Sequence, residues 1–275
     1  MIILILVVLG LAFGSFTNAL VWRLHEQATS KKKRGDKRYS ITKGRSMCVH
    51  CHHELAAKDL VPVLSWLELR GKCRYCHKPI DDTPLAEIGT AVLFVASYIW
   101  WPLPFDAHGT FNFIIWLVVL VGFVALLIYD LRWMLLPNRI IYPLIAIAGA
   151  AVLVNATVFG GGFTVISQAG LAMSVTAGVF YLLFQLSDGK WIGGGDVKLG
   201  IIIGLLLSGL LQGFLVLFIA SILGVLAVVP GMITRKVTVT SRIPFGPFLI
   251  VAAIIVKLFG ASMILWYRHK FLPGY

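Results

Sequence analysis

The chain has 275 residues, of which 59% are hydrophobic and only 13% are charged, and its mean hydropathy is +0.89. This composition excludes a soluble globular fold, because most of the chain has too few polar side chains to face water, and the bilayer must be its solvent. The formal net charge of +12 does not indicate a nucleic-acid partner, since the basic residues lie in loops beside apolar segments and no nucleic-acid-binding motif is present. Membrane topology and contact with anionic lipid account for the basic excess.

Eight apolar segments predict an all-α, multi-pass membrane protein. A helix needs roughly 17 to 25 mainly apolar residues to cross the hydrocarbon core with its backbone hydrogen bonds satisfied internally. The sixth and seventh segments are separated only by Ser208, Gly209 and Gln212, so a seven-span count is the alternative. The predicted spans are 1–22, 84–101, 112–130, 138–158, 163–187, 197–210, 211–230 and 244–266.

The distribution of Lys and Arg predicts that the loop after the first span is cytoplasmic, because positively charged loops stay on that side. Of the 24 Lys and Arg residues, 14 lie between Arg23 and Lys78, and the predicted external loops near Asp106 and Asn155 carry none. The first apolar run lacks the basic region and cleavage site of a signal peptide, so we expect a retained anchor. The densest basic run indicates a solvated segment near lipid headgroups, with partner docking as the alternative; it contains Lys31, Lys32, Lys33, Arg34, Lys37 and Arg38.

All four cysteines lie in the polar segment between the first and second predicted spans. They form two Cys-x-x-Cys knuckles that are separated by 21 residues. Two such knuckles bring four thiolates to the corners of a tetrahedron, which is the arrangement of a structural zinc site. A pair of disulfides is the alternative, and the reducing cytoplasm disfavours it. Four cysteines complete the shell, so the neighbouring histidines are not needed as ligands. The predicted zinc ligands are Cys48, Cys51, Cys73 and Cys76.

Between the knuckles, the stretch from Leu60 to Leu67 is apolar. It can form a small lid against the metal site or the membrane, and a minimal core is an equally good interpretation. A basic segment of this size has few core-forming side chains, so metal binding would supply much of its folding free energy.

Two aspartates lie where apolar segments end or begin. Asp130 ends one apolar run and Asp196 starts another, and the predicted topology puts both on the cytoplasmic side, where they can meet. A carboxylate there is costly unless it is paired, neutralised or wetted, which makes it a functional-site hypothesis. The structural alternatives are that Asp130 pairs with Arg132 and that Asp196 caps the N-terminus of its helix.

The three glycines before Asp196, Gly193, Gly194 and Gly195, favour a functional site over a plain helix start. Glycine tolerates unwound backbone and allows close approach of a second chain, which suits a substrate held extended beside a carboxylate. The run is not a nucleotide-binding loop, because it lacks the Gly-Lys-Ser/Thr ending and a preceding strand.

Two neighbouring carboxyl groups predict peptide-bond hydrolysis. They cannot both ionise easily, so one keeps a proton while the other is charged. The charged group can then draw a proton from water while the protonated group polarises the scissile carbonyl. The sequence contains no Gly-x-Ser-x-Gly and no His-Glu-x-x-His that would supply another catalytic set. Asp130 and Asp196 are therefore the predicted catalytic pair.

Five segments in a fixed order, around eight spans and one insert, resemble the type IV prepilin peptidases, the GxGD class of membrane aspartyl proteases. The resemblance runs along nearly the whole chain. The segments are Gly14-Ser15-Phe16-Thr17-Asn18 with Arg23, the two cysteine knuckles, Asp130 with Leu136-Pro137, Gly193-Gly194-Gly195-Asp196-Val197-Lys198-Leu199, and Pro244-Phe245-Gly246-Pro247-Phe248.

This resemblance implies that Asp130 and Asp196 cut the basic leader from prepilins and pseudopilins at the cytoplasmic face of the bacterial inner membrane, with the three glycines and Lys198 supporting the site. Many similar proteins that keep the cysteine knuckles also methylate the new N-terminal amine with S-adenosylmethionine, and this second activity is implied here too. No Rossmann fingerprint places the methyl donor. His25 and Asn138 stand where many members of the family carry proline and aspartate.

We therefore expect three parts: a first transmembrane helix over 1–23, a cytoplasmic, zinc-ribbon-like insert with the four cysteines over 24–83, and a membrane catalytic domain of about seven helices over 84–275. A channel or transporter is the alternative from another class, and it is disfavoured because there is no evident internal repeat and few charged residues lie at mid-membrane depth. Glu87 and Lys257 are the only two that lie clearly within spans. We expect Glu87 to line the active site or to snorkel, and Lys257 to lie near the external face or to be paired. An inactive assembly protein is disfavoured by the intact aspartates.

Overall fold

A computed structural model of the chain describes residues 1–30, 36–80, 82, 84–207, 209–233 and 243–271. Within these ranges the protein is helical, with two isolated β-bridges in the insert and no strand, which confirms the all-α prediction. Its helices are α1 (Ile2–Thr29), α2 (Leu64–Glu68), α3 (Leu85–Ile99), α4 (Ala107–Trp133), α5 (Asn138–Thr157), α6 (Gly162–Thr176), α7 (Gly178–Leu186), α8 (Gly194–Leu206), α9 (Leu210–Ile233) and α10 (Gly246–Phe271).

Six helical segments in the described part of the chain are long and apolar enough to cross a membrane, with α6 and α7 counted as one. This confirms a multi-pass membrane protein. The other two predicted spans are the shorter helices α3, with 15 residues, and α8, with 13 residues. Helices α8 and α9 are separate, because Leu207 is extended and Gly209 has a φ of 140°. The structure thus favours eight segments over seven.

The end of α4 is fixed by local sequence. Met134 follows the helix in a left-handed conformation with a φ of 52°, and its N–H donates to the Asp130 carbonyl over 2.8 Å. Such a residue terminates a helix, and a proline soon afterwards prevents its continuation. Pro137 then precedes the first residue of α5. Asp130 is therefore held in the last turn of α4.

The chain forms two compact units, one comprising residues 1–99 and 120–128 and the other residues 100–119 and 129–275. In the first unit, α1 packs along α3. Gly10 and Gly14 of α1 lie directly against the backbone of Ala91 and Glu87 in α3, where no Cβ would fit. Small residues at such positions let membrane helices approach closely.

The start of the insert is anchored to the end of α1. The Arg23 guanidinium donates to the carbonyls of Ser40 and Ile41 over 3.2 and 3.3 Å, and the Gln27 amide donates to the Tyr39 carbonyl over 2.6 Å. Of the predicted basic run, Lys31 to Arg34 lie outside the described residues. Lys37 and Arg38 lie in a short 3₁₀ turn, and Arg38 pairs with Asp36 at 2.8 Å.

In the second unit, α8 packs against α5, α6, α7 and α10, while α9 packs against α6 and α10. The side chains of Leu199, Ile202 and Ile203 in α8 are fully buried. The Thr176 hydroxyl of α6 donates to the Gly200 carbonyl of α8 over 2.7 Å. A helix enclosed in this way holds the residues of its first turn, including Asp196, in a fixed position.

The other end of α8 is capped by a lysine. The Lys257 ammonium of α10 donates to the carbonyl of Leu206, the last residue of α8, over 2.8 Å, and lies 5.8 Å from the centre of the Trp101 ring. A positive charge is favourable at a helix C-terminus, where carbonyl groups lack helical partners. Lys257 is therefore paired, which is one of the two expectations for this residue.

Replacing this lysine should destabilise the fold. Lys257→Met removes a charged hydrogen-bond donor from a half-buried carbonyl, which costs about 1–3 kcal/mol. We expect the melting temperature of the detergent-solubilised protein to fall, as measured by scanning fluorimetry. Lys270→Met, at an exposed lysine on the same helix, is the control. Equal melting temperatures for both variants would contradict the capping role of Lys257.

Candidate active site

The carboxyl groups of Asp130 and Asp196 converge on one glycine. Asp130 lies in the last turn of α4 and is only 5% exposed, while Asp196 lies in the first turn of α8 and is half-buried. A Cβ placed on Gly246, the first residue of α10, would be 2.5 Å from Asp130 Oδ2 and 3.7 Å from Asp196 Oδ1. One point in space therefore touches both side chains, and the structure brings the two aspartates together.

Backbone N–H groups hold each carboxylate. The N–H of Gly246 donates to Asp130, and the N–H of Gly193 donates to Asp196. The two carboxyl groups are also close enough to interact electrostatically. The hydrogen bond to Asp130 comes from α10, while the Arg132 guanidinium lies 5.9 Å from the centre of the Trp133 ring. Asp130 is thus contacted by a group from another helix, which a role only as the partner of Arg132 does not explain.

The capping interpretation of Asp196 is partly correct. Gly193 is the N-cap of α8 and Asp196 is the third residue of the helix, so the hydrogen bond from Gly193 is one half of a capping box. The same carboxylate also faces Gly246 with its other oxygen: Oδ2 is 3.6 Å from the Cβ position of Gly193, and Oδ1 is 3.7 Å from that of Gly246. Asp196 thus has one structural contact and one oxygen near the position at Gly246 that Asp130 also contacts.

The triple glycine is less unwound than the sequence indicated. Only Gly193 is extended, with φ −76° and ψ 146°, and Gly194 and Gly195 already belong to α8. The need for glycine is clearest at Gly195, where a Cβ would lie 2.9 Å from the Cβ of Leu136. Close packing between the start of α8 and the Leu136-Pro137 segment therefore explains this position better than an extended backbone does.

Lys198 links two helices beside the aspartates. Its ammonium donates to the Asn138 side-chain oxygen over 2.8 Å and lies 5.3 Å from the centre of the Tyr142 ring. Both partners belong to α5. Asn138 is one of the positions that depart from the pattern of the resembled proteins, and here its amide oxygen serves as the acceptor for the lysine. These contacts fix the first turn of α8 against α5.

Gly246 is a position beside both aspartates that the sequence did not assign to the site. The segment from Pro244 to Phe248 contributed to the resemblance, but nothing in the sequence gave its glycine a role. In the structure, the ring centre of Phe245 lies 5.7 Å from that of Phe180 in α7 and 6.4 Å from that of Phe248. These ring contacts hold the segment in place, so the Gly246 N–H is directed at Asp130.

The four cysteines form a candidate metal centre. Their sulfur atoms all lie within 4.8 Å of one another, and the Sγ atoms of Cys48 and Cys76 are 3.8 Å apart. Tetrahedral zinc with Zn–S bonds of about 2.3 Å requires sulfur atoms about 3.8 Å apart, whereas a disulfide requires about 2.05 Å. All four thiols, those of Cys48, Cys51, Cys73 and Cys76, are free, so the cluster fits zinc and not a pair of disulfides.

The two knuckles have the same backbone geometry. In the first, His52 N–H donates to the Cys48 carbonyl and Cys48 N–H to the His53 carbonyl, each over 3.0 Å. In the second, His77 and Lys78 take the places of His52 and His53. Both His52 and His77 have a φ of 56°. In the described part of the chain, the group able to hold a metal consists of cysteines alone.

A buried aspartate braces the insert around the metal centre. Asp59 accepts hydrogen bonds from the Arg74 guanidinium over 2.8 Å and from the Tyr75 hydroxyl over 3.0 Å. Burial alone would raise the pKa of Asp59, but the hydrogen bonds from Arg74 and Tyr75 outweigh it and hold the pKa below its usual value. The segment between the knuckles is thereby tied to the second knuckle by an ion pair that is shielded from solvent.

A multi-pass helical membrane protein with two carboxyl groups meeting at the ends of its helices has the architecture of a membrane aspartic peptidase. Comparison with known proteins agrees. Residues 8–101 match the Bacterial Peptidase A24 N-terminal domain, and residues 110–229 match the Type IV leader peptidase family. The chain belongs to the type IV leader peptidase family. Both aspartates fall in the second matched region and the four cysteines in the first.

Individual relatives match almost end to end. The prepilin leader peptidase/N-methyltransferase of Aeromonas hydrophila is 33% identical over 96% of this chain and 92% of its own length. The protein of the same name from Vibrio cholerae is 30% identical over 90% of this chain and 93% of its own length. That from Bacillus subtilis is 29% identical over 83% of this chain and 87% of its own length. No solved structure shows significant similarity to the chain.

The glycine at the meeting point should not tolerate a side chain. Gly246→Ala places a methyl group 2.5 Å from Asp130 Oδ2, so the carboxyl group must move, and displacement by about 1 Å costs on the order of 10²-fold in rate. We expect a loss of that order in peptidase activity of the purified protein. Gly149→Ala is the control, because a Cβ there meets nothing within 4 Å. Full activity of Gly246→Ala would show that the meeting point is not the active centre.

Proposed function

We propose that the chain is an aspartic endopeptidase that removes the basic leader peptide from type IV prepilins or pseudopilins, and that the new N-terminal amine is then methylated. The observation that carries the proposal is the approach of Asp130 and Asp196 to the single point at Gly246. The names of the relatives, prepilin leader peptidase/N-methyltransferase, supply the substrate class and the second activity.

In the proposed mechanism, the two aspartates share one proton, because neighbouring carboxyl groups cannot both ionise easily. The ionised carboxylate takes a proton from a water molecule, and the water oxygen attacks the scissile carbonyl carbon. The protonated partner donates a hydrogen bond to the carbonyl oxygen as negative charge develops there. The C–N bond then breaks, and the leaving amine takes up a proton from the acid pair.

The neighbouring residues act as positioning groups in this proposal. Gly193 fixes the Asp196 carboxylate through its backbone N–H, and Gly195 lets the start of α8 pack against Leu136. A Cβ placed on Gly194, between them, would lie 3.7 Å from the Phe184 ring. Lys198 ties the same turn to Asn138. Small displacements of reacting groups cost large factors in rate, so these contacts are expected to matter for turnover.

We further propose that Cys48, Cys51, Cys73 and Cys76 hold a structural zinc ion. The sulfur spacing supports this assignment. The metal would replace the hydrophobic core that the insert lacks, and it takes no part in peptide-bond hydrolysis. Methylation would use S-adenosylmethionine as methyl donor, an expectation that rests on the names of the relatives. We assign no residue of this chain to the methyl donor.

The proposed location is the bacterial cytoplasmic membrane, with the aspartates at the cytoplasmic face. The concentration of Lys and Arg between Arg23 and Lys78 supports this orientation. Membrane lipid and prepilin-type substrates are the proposed partners, and a nucleic acid is not. The proposed organisation is a helix over 1–23, the zinc-binding insert over 24–83 and the catalytic membrane domain over 84–275. The family membership and the converging carboxyl groups both favour a peptidase over a channel or transporter.

Removing either acid should stop processing. Asp130→Asn and Asp196→Asn each leave a pair that cannot both donate and accept the proton, and we expect losses of at least about 10²–10⁴-fold. The measurement is the ratio of unprocessed to mature prepilin by immunoblot, with membrane levels of the enzyme followed in parallel. Mass spectrometry of the product, with and without S-adenosylmethionine, separates cleavage from methylation.

The matched control for these variants is Asp188→Asn, because Asp188 is an exposed aspartate in the loop between α7 and α8. It should process prepilin as the unchanged protein does. Normal processing by both Asp130→Asn and Asp196→Asn would refute the aspartic mechanism.

Zinc should be present in the purified protein. Four thiolates with tetrahedral spacing bind a single ion, so elemental analysis is expected to find about one zinc per chain. Cys48→Ser together with Cys51→Ser should abolish it, and His50→Ala should not, because the histidines are not ligands. A metal-free protein with four oxidised cysteines would contradict the assignment.

A further inference from the structure

The insert exposes a patch of aliphatic side chains, here called the apolar patch. It consists of residues on the segment between the two knuckles, and their exposed fractions are 42% for Leu60, 42% for Val61, 64% for Leu64 and 57% for Leu67. Contiguous exposed apolar residues on a domain surface mark a contact with another molecule or with a membrane. The alternative that this stretch forms a small core of the insert is therefore wrong for these four side chains.

The apolar patch is attached to the first turn of a membrane helix. The backbone N–H of Val63 donates to Glu87 Oε2 over 2.5 Å, and Glu87 lies in the first turn of α3. Val63 has a φ of 63°, which is an unfavourable conformation for a β-branched residue. The contact with Glu87 holds the backbone in this conformation, so the patch is fixed beside the end of α3.

Helix α3 is shorter than the hydrocarbon core of a membrane is thick. Its 15 residues span about 22 Å at 1.5 Å per residue, which is less than the roughly 30 Å of a hydrocarbon core. Glu87 also lies against Gly14 of α1, and α1 continues from there to Thr29. The neighbouring helix therefore extends well beyond the point at which α3 begins, and the apolar patch is attached at that point.

The backbone of the apolar patch is compatible with a lipid environment. The N–H groups of Ser65, Leu67 and Leu69 donate to the carbonyls of Val61, Val63 and Ser65 over 3.0–3.1 Å. Together with the bond from Val63 to Glu87, these hydrogen bonds pair four backbone N–H groups that hydrocarbon would otherwise leave without partners. A loop without such bonds would be costly at this depth.

The charges on either side of the patch fit an interfacial position. Lys58 precedes the patch and Arg70 follows it, and both side chains are exposed. Long basic side chains extend from apolar surfaces to lipid phosphates, and anionic headgroups attract them. The single negative group on α2, Glu68, is paired with Arg74 at 3.2 Å.

We propose that the apolar patch inserts into the lipid leaflet on the side of the membrane where α3 begins. Leu60, Val61, Leu64 and Leu67 contact the acyl chains, while Lys58 and Arg70 lie at the level of the phosphates. The insert is then a membrane-docked module, held by its own side chains as well as by its connections to α1 and α3. This inference is independent of the peptidase mechanism.

Lipid photo-crosslinking of the full-length protein in proteoliposomes tests this proposal. A photo-crosslinking amino acid is placed at Leu64 or Leu67 and, as controls, at His52 or Lys78, which are exposed positions on the two knuckles. Vesicles contain phosphatidylglycerol and phosphatidylethanolamine only, and adducts are identified by mass spectrometry. We expect lipid adducts at 64 and 67 well above those at 52 and 78.

Two outcomes would overturn the proposal. Adducts at 64 and 67 to a second copy of the chain would identify the patch as a protein interface. Equal lipid labelling at all four positions, or none at 64 and 67, would show that the patch has no defined place in the leaflet. Each labelled protein must elute as the unlabelled protein does in size-exclusion chromatography, and labels at Leu60 and Val61 replace any that fails this check.

Discussion

The structure of the second unit depends on bringing the side chains of Asp130 and Asp196 together at Gly246, a residue without a side chain. Asp130, Asp196 and Gly246 belong to three different helices, and each lies within a turn of a helix end. Helix ends are the places where a membrane protein has free backbone N–H groups to offer a carboxylate. Two such groups, from Gly193 and Gly246, are used here. The chain therefore ends α4 and begins α8 and α10 at the same location.

The short helix α8 follows from the same constraint. Its N-terminal end carries Asp196, and its C-terminal end is capped by the ammonium group of Lys257. A negative group at the N-terminus and a positive group at the C-terminus are each favourable with respect to the helix dipole. Asp196 of α8 and Lys257 of α10 thus stabilise opposite ends of one 13-residue helix. One of them is at the candidate active site, and the other holds the helix that carries it.

Hydropathy was sufficient to predict the helical spans, because partition into lipid depends on composition. It did not predict that α3 has only 15 residues or that the span over 163–187 is divided at Ala177, since these features depend on packing and hydrogen bonding. The aspartates and cysteines were predicted as site residues from residue type and spacing. Gly246 was not predicted, because a glycine has no side chain and matters only through the groups packed against it. Its contact, Asp130, is 116 positions away in the sequence.

In the first unit, the insert must be stabilised without a large hydrophobic core. A polar insert with few large side chains has little hydrophobic core, and a four-thiolate metal site can stabilise it in place of that core. Two knuckles of the same geometry and the bond network around Asp59 are enough to order the segment between them. The aliphatic residues of this segment are then not needed to form a core within the insert. The proposed metal centre would thus allow Leu64 and Leu67 to stay on the surface, where they are exposed beside the start of the apolar helix α3.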